Sequence, residues 1–159
     1  MPALYVFDTS SWIEGGQHYP HATFARVWTQ LQGLIRNNRI IAPMEVFNEI
    51  TPKKGQDVHR WCGANRRMFV HNSRPLLSMV GQILSQHPSL IQPNRGNAQA
   101  DPFVIALARL STNNLTGLDV NIVTEENRSK IDRIPFVARS YGVNCIRLVD
   151  LFQQEGWNF

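Results

Sequence analysis

Cysteine is nearly absent from this chain. Its 159 residues include two, Cys62 and Cys145, too few for a disulfide framework or a zinc ligand set. That scarcity suits a reducing cytoplasm, the expected compartment. Long apolar runs are missing too: none approaches the roughly 18 residues of a membrane-spanning helix, so a membrane partner is not expected. The N-terminus has no basic region followed by an apolar core and a small-residue cleavage site, and no secretory leader is expected. No internal repeat, low-complexity tract or linker divides the sequence, and its length suits one domain with a good core. Acids are the last shortage, with 12 Asp and Glu against 16 Lys and Arg, a net charge of +4 and a pI of about 9.5. That balance favours an anionic partner, nucleic acid or an acidic protein. In such a chain a cluster of carboxylates needs a cause, and a bound cation is the most economical one.

The hydrophobic pattern alternates between strand and helix. Leu4 to Phe7 reads as a buried strand. Thr23 to Asn37 reads as an amphipathic helix, with Phe24, Val27, Trp28, Leu31, Leu34 and Ile35 at helical spacing. Arg39 to Ala42 is a short strand, and Pro43 opens a helix that Thr51-Pro52 ends. Helices are predicted from Asp57 to His71 and from Pro75 to Gln86. His87 to Gln99 reads as a long loop of the kind that is often functional. Asp101 to Leu110 is an apolar, buried helix. After a turn over Asn113 to Gly117 come the strand Val120–Thr124, a helix from Ile134 to Tyr141 stopped by Gly142, and a last strand from Asn144 to Leu148. Such alternation predicts a parallel α/β sheet.

Placed on that pattern, the acids gather at one edge. Asp8 follows the first strand, where Ser10 and two further hydroxyls flank it. Glu45 and Glu49 lie four residues apart on the helix after the second strand. Asp101 begins the buried helix, and Glu125 and Glu126 follow the strand that ends on Thr124. Strand carboxyl ends are where parallel α/β sheets bind ligands. Clustered carboxylates repel, and burying them unpaired is costly. Mg²⁺ or Mn²⁺ takes oxygen ligands and needs neither histidine nor cysteine. A site of this kind supports metal-assisted phosphodiester hydrolysis.

Each acid also has a plainer reading. Asp8 could cap the helix that follows it. Asp101-Pro102 matches a cap residue followed by proline at the first helical position. Glu45 and Glu49 could lie on a solvated helix face, the favoured reading for Glu45. Glu125-Glu126 could be a polar loop favourable to a helix dipole. Helix caps, however, have no reason to share one sheet edge.

Four segments in order resemble the PIN-like (PilT N-terminus) nuclease family, in particular a toxin-type bacterial branch. They are Val6-Phe7-Asp8-Thr9-Ser10, Pro43 to Ile50 with Glu45 and Glu49, Ala100 to Ala108 with Asp101, and Ile122-Val123-Thr124-Glu125-Glu126. The closing Glu155-Gly156-Trp157-Asn158-Phe159 is similar to that branch as well. The resemblance implies a single three-layer α/β/α domain with a central parallel sheet of four or five strands, carrying a helical insertion at about 53–97. It also implies a Mg²⁺- or Mn²⁺-dependent endoribonuclease, the toxin of a type II pair whose partner is an antitoxin protein; a homodimer stays open. Carried over residue by residue, Asp8, Glu49 and Asp101 would be catalytic and hold the metal. Glu126 would be the fourth acid, where aspartate is more usual, and Glu125 beside it leaves open which one faces the site. Ser10 and Thr124 match supporting hydroxyl positions.

An RNA surface has several candidates. Arg60, Arg67 and His71 share one face of the helix predicted from Asp57 to His71, with Lys53, Lys54, Arg66 and Arg74 nearby in sequence, and Arg95 lies in the loop before Asp101. A solvated face explains the stripe as well. The four tryptophans and two cysteines read as core or interface residues. An alternative function is an inactive PIN-like module that binds RNA or protein. A phosphatase of the haloacid dehalogenase type needs a second aspartate where Ser10 stands, and is set aside.

Overall fold

The computed structural model describes residues 2–91, 99–112, 117–130 and 133–159. The first strand, β1 (Ala3–Phe7), is buried along its whole length, as a continuous apolar run between parallel neighbours should be. It pairs on one side with β2 (Ile40–Pro43) and on the other with β4 (Asp119–Val123). A two-residue strand, β3 (Phe69–Val70), extends the sheet beyond β2, and β5 (Asn144–Ile146) extends it beyond β4. The order is β3-β2-β1-β4-β5 and every pairing is parallel. The chain therefore runs outward from β1 to β3, returns, and runs outward the other way. The reversal falls between β1 and β4, and a crevice opens at the carboxyl ends of strands where their order reverses.

Helices cover both faces. α1 (Thr9–His18) and α2 (Ala25–Arg36) link β1 to β2; α3 (Met44–Glu49) and α4 (Gln56–Ala64) link β2 to β3. α5 (Arg74–Gln86) and α6 (Asp101–Ser111) lead back to β4, α7 (Ile134–Ser140) links β4 to β5, and α8 (Leu148–Gln154) follows. Right-handed crossovers put the outward links on one face and the return links on the other. The packing agrees, since α1 rests on α3 and α4, while α6 rests on α5 and α7. The result is the expected three-layer α/β/α arrangement with a five-stranded parallel sheet.

One expected element is broken into three. The helix predicted from Asp57 to His71 ends at Ala64; Arg66–Met68 forms a 3-10 turn and Phe69–Val70 becomes the edge strand. Asn65 explains the stop. Its side-chain amide donates to Trp61 O at 2.9 Å, and its backbone N–H turns instead to Cys62 O. Side chains of this type end helices by offering the backbone a competing bond. Met68 and Phe69 are then buried, with Phe69 against Phe47 at a ring separation of 5.0 Å. The last strand also ends sooner than expected, because Leu148 already begins α8. The turn expected over Asn113 to Gly117 falls outside the described residues except for Gly117. Gly142 stops α7 at a positive φ of 72°, as its position predicts.

The core under α1 is aromatic. Phe7 stacks on Trp12 at 4.2 Å, and Trp61 lies 5.4 Å from Trp12 and 5.0 Å from Trp28. Remote from this, Arg39 Nη1 and Nη2 donate to Glu155 at 2.9 and 2.6 Å, and Tyr5 Oη donates to the same carboxylate at 2.6 Å. That cluster ties the C-terminal segment to β1 and the start of β2. No described helix is long and apolar enough to cross a membrane.

Candidate functional site

Asp8 leaves β1 into the crevice and is 2 % exposed. It does cap α1, accepting from Ser11 N at 2.9 Å, but it has further partners. Ser10 Oγ lies 2.9 Å from both Asp8 oxygens, and Thr124 Oγ1 donates to Asp8 Oδ2 at 2.6 Å. These hydroxyls are aimed by the backbone beyond β4. Glu125 N donates to Ser10 Oγ at 3.0 Å, and Glu126 N donates to Thr124 Oγ1 at 3.1 Å. Each hydroxyl accepts an amide proton and turns its own proton to Asp8. The sequence reading of Ser10 and Thr124 as supports for the acid matches this geometry.

Electrostatics at Asp8 are contested. Burial opposes its charge most strongly, and Glu126 repels it; the bonds from Thr124, Ser11 and Ser10 favour the charge. The net effect raises its pKa from 3.8 to about 7. Among the described residues, no positive charge offsets the burial of this carboxylate.

Glu49, in the last turn of α3, joins two other elements to this corner. Its Oε1 accepts from Thr9 Oγ1 at 2.5 Å and its Oε2 from Ala100 N at 3.2 Å. Asp101 is the first residue of α6, with Ala100 in the cap position. This corrects the cap reading of Asp101-Pro102, which sits one position further into the helix. Glu126 Oε2 accepts from Ile134 N at the start of α7 at 2.9 Å.

Asp8, Glu49, Asp101 and Glu126 all line one cleft of about 390 Å³, together with Thr9, Ser10 and Gln99. Glu126, rather than Glu125, is the neighbour that reaches it. Glu125 turns the other way and accepts from Leu148 N at the head of α8. Glu45 departs from expectation. It is 9 % exposed, not solvated, does not line the cleft, and its Oε2 has no hydrogen-bond partner among the described residues.

Two charged residues of the cleft were not placed there by the sequence reading. Glu14 lines the wall with Ile13, and burial followed by repulsion from Glu125 raises its pKa. The signal was present: positions 9, 10, 13 and 14 fall on one helix face. Lys54 supplies the other, from the turn after α3.

The arginine candidates lie elsewhere or beyond description. Because α4 ends at Ala64, Arg60 and Arg67 do not share a helix face. Arg60 borders a separate depression with His21, Asp57 and Trp61. Arg67 is exposed and donates to Asn38 Oδ1 at 3.2 Å. Arg95 lies outside the described residues. Trp12 and Trp28 are core residues, as expected. Burial pushes both Cys62 and Cys145 up to about 12, so neither thiol is a nucleophile at neutral pH.

A family model described as "Domain of unknown function (DUF4411)" matches residues 5–159. The chain belongs to the DUF4411 family. The match spans every acid of the cleft. Neither the curated proteins nor the solved structures returned a match for this DUF4411 chain.

The donors in the cleft suit a hard cation. The cleft's side-chain oxygens come from carboxylates, hydroxyls and the Gln99 amide, and the raised pKa of Asp8 marks where positive charge is wanted. The acids line the cleft walls without meeting at one point: among the described residues, no three His, Cys, Asp or Glu approach as a finished ligand set.

Proposed function

We propose that this DUF4411 protein is a Mg²⁺- or Mn²⁺-dependent endoribonuclease of the PIN-like type, the toxin of a type II toxin–antitoxin pair. The observation that carries the reading is the convergence of Asp8, Glu49, Asp101 and Glu126 on one cleft at the reversal of strand order. Asp8, Glu49 and Asp101 would hold the metal, with Glu126 completing the set. When bound, the ion supplies Lewis acidity at a phosphate and lowers the pKa of water there. The chain's own residues do the rest. Ser10 and Thr124 orient the Asp8 carboxylate and favour its ionised form. Thr9 and the Ala100 amide fix both oxygens of Glu49.

A non-cutting module that binds RNA or protein is the second reading. It draws support from the way Glu49 and Glu126 spend oxygens on backbone amides. Cleavage of defined RNAs with Mg²⁺, Mn²⁺ or EDTA separates the two, comparing wild type with Asp8→Asn. The nuclease reading expects cutting that needs the metal and fails in Asp8→Asn. Full cutting by folded Asp8→Asn and Asp101→Asn would overturn the assignment. Neutralisation by a cognate antitoxin is tested separately, by growth rescue on co-expression.

A further inference from the structure

The acid cleft poses a problem for any nucleic-acid strand. Its walls carry five carboxylates, from Asp8, Glu14, Glu49, Asp101 and Glu126, and one cationic side chain among the described residues, Lys54. A metal at the acids offsets charge at the reacting phosphate, but a strand carries a charge at every nucleotide. The neighbouring phosphate must also be held where acids would repel it.

We propose that Lys54 holds that neighbouring phosphate at the rim of the cleft. The inference rests on the nuclease reading above and deepens it, since it concerns how the same site takes its substrate. Three observations support it. The Lys54 side chain is exposed and lines the cleft. No ion pair within 4 Å involves it among the described residues, where the pairs are Arg39–Glu155 and Arg128–Asp150. Its backbone is fixed in a turn, with its N–H donating to Thr51 O at 3.0 Å two residues after Pro52. The charge therefore sits on a flexible stem rooted in a set position. An ammonium also suits the task, because it meets a phosphate as a point charge and needs no planar match.

A phosphate contact leaves a signature that a structural lysine does not. Each phosphate neutralised on a single strand adds about 0.7 to the slope of log affinity against log salt. The test measures binding of a short, labelled, mixed-sequence single-stranded RNA at several salt concentrations. Wild type, Lys54→Gln and Lys54→Arg are compared, and cleavage of the same RNA is followed in parallel. Lys54→Gln is expected to weaken binding on the order of tenfold at low salt, the scale of one charged hydrogen bond. Its salt slope should fall by about 0.7, with KM rising more than kcat falls, and Lys54→Arg should recover most of both. An unchanged slope in Lys54→Gln, with wild type still cutting RNA, overturns the role of Lys54 and leaves the nuclease reading standing. Wild type that binds the RNA without cutting it removes the nuclease reading, while the slope still decides for or against Lys54. Wild type that neither binds nor cuts overturns both.

Discussion

Thr124 Oγ1 donates to Asp8 Oδ2 at 2.6 Å, a bond that joins the ends of adjacent strands 116 positions apart. The same hydroxyl oxygen accepts the Glu126 amide, so one hydroxyl both favours the ionised form of Asp8 and holds the chain carrying Glu126. Thr124→Val keeps the shape and removes the hydroxyl. Asp8 then loses a donor that favours its ionised form, and its pKa should climb above about 7. The expected result is loss of cleavage at neutral pH, on the order of tenfold, with the acid limb of the pH–rate profile moved upward. Thr124→Ser should restore both. A pH profile of Thr124→Val that overlays the wild type would refute this role.

Stability without divalent metal should report the same carboxylate. The folded pKa of Asp8 is about 7 against an ordinary 3.8. A carboxyl raised in this way stabilises the fold fully below about pH 3.8, and that contribution is lost as pH rises through 7. Asp8→Asn carries no charge to bury. In EDTA its Tm relative to wild type should therefore rise between pH 5 and pH 8. Added Mg²⁺ or Mn²⁺ should stabilise wild type more at pH 8 than at pH 5, and stabilise Asp8→Asn little at either. Equal metal-induced shifts in the two proteins would remove Asp8 from the ligand set.

Much of the site was legible because residues next to a strand's end are placed by the strand itself. Asp8 needed only the continuous apolar run ending at Phe7 to be recognised, whereas the strand ending at Val123, interrupted by Asn121, located the Glu125-Glu126 pair without showing which of the two reaches the cleft. Glu45 was misread because a six-residue helix offers too few turns to show which side is buried. The edge strand Phe69–Val70 was hidden inside a helical pattern that Asn65 interrupts with one side-chain hydrogen bond. Its pairing partner, Ala42–Pro43, is fixed only by the fold. Glu14 and Lys54 required tertiary placement, since neither lies at a strand end.

The Arg39–Glu155–Tyr5 cluster should matter for stability rather than cleavage. Burial works against charge on Glu155, yet the bonds from Arg39 and Tyr5 outweigh it and hold its pKa below the usual value. Glu155→Gln weakens the contact with Arg39 and should cost about 2 kcal/mol in urea unfolding, the scale of charged hydrogen bonds. A carboxyl depressed in this way gives stability that is present above the ordinary pKa and lost as pH falls through the folded one. The gap between wild type and Glu155→Gln should therefore narrow as pH falls below the ordinary value of 4.5. A gap that persists at acid pH would show that packing, not the ion pair, holds the C-terminal segment.

Two helical glycines should respond to alanine with opposite signs. A Cβ on Gly16 in α1 would overlap Val58 Cγ2 of α4, whereas one on Gly33 in α2 meets nothing within 4 Å. Alanine in an open helical position gains about 1 kcal/mol over glycine from propensity alone, so Gly33→Ala should stabilise by up to that amount. At Gly16 the same gain is opposed by overpacking, which typically costs about 1–3 kcal/mol. The net for Gly16→Ala should be a loss, read as a lower urea midpoint. Because α1 also carries Thr9, Ser10, Ile13 and Glu14, forcing it away from α4 moves four cleft residues together. Cleavage should fall in Gly16→Ala at temperatures where the protein is still folded, and stay at the wild-type level in Gly33→Ala. If Gly16→Ala proved as stabilising as Gly33→Ala, the close approach of α1 to α4 would be wrong, and with it the seating of the helix that Asp8 caps.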